Sequence, residues 1–131
     1  MDIAKRFKEN PILRPEDIKP SIPGMKIECL LNPGVFRYDE KIWLLCRVAE
    51  RTEQDEKSIK VPVFNADGRI EIFSFDKNDP DLDASDPRVI AYKGKNYLTT
   101  LSHLRLVSSK DGKIFREDPE YPLIAGEDSL E

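Results

Sequence analysis

The chain has 131 residues, enough for one domain of ordinary size with a real core. Charged residues make up 35% of it and the formal net charge is −4, a balance that argues against a nucleic-acid partner, because phosphate backbones demand a positive field. No run approaches the roughly 18 apolar residues that cross a bilayer, and M-D-I-A-K-R-F-K-E-N lacks the apolar stretch and cleavage site of a secretory signal. The expectation is a cytoplasmic protein without membrane contact.

Residues 1–24 carry Pro11, Pro15, Pro20 and Pro23, too many for a long helix or a central strand. This segment reads as an arm that lies across the rest. From Met25 onward the composition turns to short runs of Val, Ile, Phe, Tyr and Trp separated by Asp-Glu, Ala-Asp-Gly, Lys-Gly-Lys and Lys-Asp-Gly turns, the pattern of consecutive antiparallel strands. Strands are predicted at 25–31, 34–38, 42–49, 59–64, 69–75, 88–92, 96–102, 104–108 and 113–116, with no helix of useful length. Cys29 and Cys46 sit in apolar strand patterns and read as buried free thiols rather than metal ligands.

The chain repeats itself. Asn32 to Leu44 aligns without a gap on Asp86 to Leu98, an offset of 54 residues, with the Pro, Val, Tyr, Lys and Leu positions identical. A self-similar unit of about four strands at such a period is the mark of a propeller blade. The expected fold is therefore all-β, a β-propeller of which about two four-stranded antiparallel blades are present. The arm would span 1–24 and the partial propeller 25–131, with blade-like units at about 25–80 and 81–131. Propellers close with about four to eight blades, so the ring would need more chain or more copies, and a homo-oligomer that completes it is one expectation.

In a propeller, polar residues at the start of inner strands project toward the axis. Asn32 and Asp86 hold equivalent places, each before a proline that favours an extended conformation in its predecessor. Asp86 then reads either as a general acid with a raised pKa in a partly dry funnel or as an Asx turn bonded to its own backbone. Arg47 ends an apolar strand and needs a partner, either a carboxylate such as Glu50 or Asp86 or the hydroxyls of a sugar. Arg51 lies in the charge run A-E-R-T-E-Q-D-E, which reads as a solvated loop or as a reach toward substrate. His103 is the single histidine, a rim or packing residue, so a multi-histidine metal site is excluded. Asp79, Asp81 and Asp83 alternate like calcium ligands but lack the glycine and distal glutamate of an EF-hand, and no metal is expected.

The ordered set N-P-G-V-F-R, L-L-C-R-V-A-E-R, D-P-R-V and S-S-K-D-G, with the opening E-N-P-I-L-R-P-E-D-I-K-P-S, resembles the N-terminal part of glycoside hydrolase family 130, the mannoside phosphorylases and related mannosidases. The resemblance implies a five-bladed β-propeller and an inverting attack of inorganic phosphate on a β-1,4-mannoside, giving mannose 1-phosphate. It implies Asp86 as proton donor and Asn32 and Arg47 as sugar-binding residues, with Arg51, Ser102 and His103 where the substrate cleft continues. Phosphate would be a co-substrate, a mannose-containing oligosaccharide the partner, and no cofactor is needed. The groups that hold phosphate in the family lie on later blades, so the rival expectation is a non-catalytic carbohydrate-binding or self-assembling partial propeller.

Overall fold

The computed structural model describes residues 3–120. A single 3-10 turn, Pro15–Asp17, is followed by nine strands: β1 (Met25–Tyr38), β2 (Lys41–Thr52), β3 (Ser58–Phe64), β4 (Ile70–Asp76), β5 (Leu82–Asp86), β6 (Val89–Tyr92), β7 (Lys95–Leu98), β8 (Thr100–Ser109) and β9 (Arg116–Glu117). All pairings are antiparallel. They form a four-stranded sheet in the order β1-β2-β8-β9, a two-stranded sheet β3-β4 and a three-stranded sheet β5-β6-β7. The 80/81 boundary expected between units separates the β3-β4 sheet from the β5-β6-β7 sheet, but β8 and β9 return to complete the sheet that β1 and β2 begin.

The two aligned segments are both hairpins with the same turn and register. Asp39 (φ 49°) and Glu40 (φ 58°) make one turn, Lys93 (φ 49°) and Gly94 (φ 78°) the other. Positive φ at both central residues is what a two-residue hairpin needs to match the right-handed twist of its strands. Tyr38 pairs with Lys41 and Phe36 with Trp43 in the first; Tyr92 pairs with Lys95 and Ile90 with Tyr97 in the second. Phe36 and Trp43 stack at 6.2 Å, and the Trp43 indole N–H donates to the Tyr38 carbonyl at 2.9 Å.

Period-two alternation divides β2 into two faces. Leu44, Cys46, Val48, Glu50 and Thr52 are buried on one, and His103, Arg105, Val107 and Ser109 share that face on β8. The proline-rich arm covers it. Ile18, held just past the 3-10 turn, joins Leu44, Cys46, Val48, Val107 and Phe115, with Ile12 and Leu13 packed against them. The Asp17 carboxylate closes the turn by accepting the Arg14 N–H at 2.8 Å. A second cluster, Phe73, Phe75, Tyr92 and Tyr97, joins the two smaller sheets, with ring centroids 4.8 to 6.1 Å apart.

Differences from the predicted strands have local causes. The pieces expected at 25–31 and 34–38 are one strand, interrupted by a bulge between Leu31 and Gly34. The polar run Leu82–Asp86 is a strand that apolar alternation does not reveal, since its pairing rests on backbone bonds to β6. Both cysteines are free; burial pushes the Cys46 thiol up, while Cys29 is only half-buried.

Candidate functional site

The uncovered face of β2 and β8 looks onto an open cleft of about 920 Å³. Arg47, Ser102 and Leu104 line one side, the β3-β4 hairpin supplies Phe64, Asn65, Glu71 and Phe73, and β7 supplies Lys95 to Leu98. The cleft is amphipathic. Phe73 and Tyr97 lie 6.1 Å apart as a partly exposed aromatic surface, while Asn65 donates to Glu71 at 2.7 Å and the Arg47 Nε donates to the Ser102 hydroxyl at 3.3 Å. Such a pairing of ring faces with hydrogen-bonding groups suits a sugar, whose C–H face stacks and whose hydroxyls bond.

Of the residues singled out in the sequence, the cleft gathers Arg47, Ser102 and His103, and its lining includes neither Asn32, Arg51 nor Asp86. Arg47 meets neither of its expected carboxylates. Glu50 is three positions along β2 and so points to the opposite, buried face, and Asp86 is held by Arg88. Arg51 belongs to the strand rather than to a loop and reaches the Thr100 hydroxyl at 3.5 Å. His103 is wholly enclosed behind the cleft wall, its Nε2 3.5 Å from a Glu50 oxygen, which makes it a packing residue.

Asn32 does not adopt the extended backbone expected before proline. It sits in the bulge at φ 41°, a left-handed conformation that asparagine tolerates better than most residues. The bulge inverts the usual bias because Leu31 and Gly34 must both keep their register with β2.

Asp86 corrects a second expectation. Its carboxylate is 41% exposed and is clamped by Arg88: Oδ1 accepts the Arg88 backbone N–H at 2.9 Å and its Nε–H at 3.1 Å, and Oδ2 accepts Nη2–H at 2.9 Å. The first bond is the Asx turn. Hydrogen bonds from the guanidinium and then from the backbone hold the group below the ordinary aspartate range, so its pKa is lowered and not raised as in a dry funnel.

Sequence reasoning named Glu50 only as a possible partner of Arg47 and passed over Arg105. Glu50 is fully buried, accepts the Ser21 N–H at 2.8 Å and an Arg105 Nη2–H at 3.2 Å, and faces His103. Arg105 also donates to the Lys19 carbonyl at 2.7 Å, to the Ser21 hydroxyl at 3.0 Å and to Glu117. Burial alone would raise the Glu50 pKa, but the His103 imidazole beside it and the hydrogen bond from Ser21 outweigh burial and hold the carboxyl below its ordinary value. The one signal in the sequence was alternation, which places Glu50 in phase with Cys46 and Val48 on the apolar face.

No helix among the described residues is long and apolar enough to cross a membrane. No family model matches the chain. Fold and strand arrangement define the class: an all-β, antiparallel, partial β-propeller, similar to part of a five-bladed ring. The solved structure of the β-1,2-mannobiose phosphorylase from Listeria innocua, in complex with β-1,2-mannobiose, superposes with a TM-score of 0.67 at 38% identity, covering 88% of this chain and 35% of that one. In sequence, the β-1,2-mannobiose phosphorylase of Listeria innocua serovar 6a is 40% identical over an alignment of 119 residues, with 86% of this chain and 34% of the relative covered. The chain is homologous to this glycoside hydrolase family 130 phosphorylase and spans about a third of its length.

Proposed function

We propose that this chain forms part of a glycoside phosphorylase acting on β-mannosides, transferring a mannosyl unit to inorganic phosphate and releasing mannose 1-phosphate. The observation that carries the reading is the 40% identity to a mannobiose phosphorylase across nearly the whole chain. In this reading Asp86 of D-P-R donates the proton to the leaving oxygen, Asn32 and Arg47 hold the mannosyl hydroxyls, Ser102 lines the continuing cleft, and Arg51, bonded to Thr100, and His103, packed behind the wall, support it. Phosphate supplies the nucleophile, so a single carboxyl suffices in an inverting displacement. The relative's linkage favours β-1,2-mannobiose as substrate over the β-1,4-mannoside expected from the family resemblance alone.

The test is phosphate-dependent release of mannose 1-phosphate from β-1,2- and β-1,4-mannobiose, each with native protein and with Asp86→Asn. The expected outcome is turnover of the β-1,2 disaccharide that Asp86→Asn lowers by at least about a hundredfold while mannobiose binding persists. Equal turnover by the variant rejects the assignment of Asp86. The rival reading, a carbohydrate-binding piece that assembles through uncovered surfaces, draws on the exposure of Val35, Tyr38 and Leu98. It predicts mannobiose binding and a multimeric mass in solution, with no product at any phosphate concentration.

A further inference from the structure

We propose that Arg88 is the positioning residue of Asp86: its guanidinium grips both carboxylate oxygens, fixes their plane, and decides when that carboxyl can carry a proton. The inference rests on the reading of Asp86 as proton donor, but its geometry stands apart from it. Three donors of one residue, the backbone N–H, Nε–H and Nη2–H of Arg88, converge on the two oxygens at 2.9, 3.1 and 2.9 Å.

An isolated ion pair at the surface holds little, since water competes for both partners. This pair differs in being forked and in sharing an Asx turn, so the carboxylate has one orientation rather than several. Pro87 between the two fixes φ at the centre of the turn and keeps the donors in place. Among the described residues, Arg88 supplies the charge acting on Asp86, and the shift it causes is toward the ionised form. The guanidinium is 82% exposed on its side chain, so nothing packed around it prevents it from swinging away.

The chemical consequence is a gate on the proton. With the fork closed, two donors fill Oδ1 and one reaches Oδ2, and these bonds favour the carboxylate over the acid. Protonation of Asp86 becomes easier when Nη2 releases Oδ2; that oxygen then carries the hydrogen, gives it to the leaving oxygen, and returns to the ionised form that Arg88 binds. A sugar hydroxyl that hydrogen-bonds the guanidinium is the ligand chemistry suited to opening the fork, which would make substrate binding and acid loading one event.

Carbon-detected NMR titration of the Asp86 carboxyl in the full chain tests this, with native protein, Arg88→Gln and Arg88→Lys. The expected result is a midpoint shifted upward in Arg88→Gln, with Arg88→Lys between, since lysine keeps charge but cannot fork. In the active form, the alkaline limb of the pH-rate profile should move upward in Arg88→Gln, because the acid stays protonated to higher pH. Coincident midpoints in all three proteins overturn the proposal. Arg88→Lys keeps the test decisive if Arg88→Gln does not fold. Loss of turnover in Asp86→Asn with unmoved midpoints refutes Arg88 alone, whereas shifted midpoints with full turnover in Asp86→Asn refute the proton-donor reading alone.

Discussion

The hairpins 32–44 and 86–98 share a turn, a register and five residues, yet their first polar positions end in different states. Asn32 stands exposed and left-handed in a bulge, while Asp86 ends a strand as an Asx turn closed by an arginine. The first hairpin belongs to a four-stranded sheet backed by the arm; the second is flanked by β5 and backed by an aromatic cluster. Turn and register are therefore local properties of the sequence, whereas the conformation of the residue before proline depends on what pairs alongside it.

The largest expected effect separates the two by their support. Trp43, 5% exposed, should lose about 3–5 kcal/mol on substitution by alanine, against about 2 kcal/mol for its half-buried counterpart Tyr97. Denaturant unfolding of the two variants measures the difference, and equal losses would mean that the hairpins are equally supported.

Next is the anchor that only the first hairpin's sheet possesses. Glu50→Ala leaves Arg105 buried with fewer partners and should cost about 3 kcal/mol. The cost should also depend on pH. Glu50 is more acidic folded than unfolded, so its contribution is complete above the ordinary glutamate value of 4.5 and is lost as pH falls through the lower folded value. Stability measured against pH should slope there in native protein and less in the variant.

The smallest effects concern the turns. Gly94→Ala meets no atom within 4 Å but must hold φ at 78°, for a loss of about 1 kcal/mol. Glu40→Gly relieves a non-glycine residue at φ 58° and should gain about 0.5 kcal/mol. Opposite signs in thermal melts would confirm that the two turns have the same geometry, and equal signs would separate them.

Much of the fold was legible because it is written at short range. The hairpin at Tyr38 to Lys41, the run Ile42 to Cys46 and the proline-rich arm each follow from residues adjacent in the chain. Of the candidate site, Arg47 and Ser102 do meet on one cleft wall, because β2 and β8 pair in register across it, while His103 packs behind that wall. Leu82–Asp86 was illegible for the opposite reason: its side chains are polar and its strand exists through its neighbour β6.

The sequence by itself determined that this chain is all-β and antiparallel and that a hairpin recurs. Only the tertiary structure decided that Glu50 finds Ser21 and Arg105, 29 and 55 residues away, and that β8 joins the sheet of β1 and β2. Turns and alternation answer to steric forces between near neighbours, whereas the partners of a buried charge are set by where distant strands come to lie, which short-range forces do not encode.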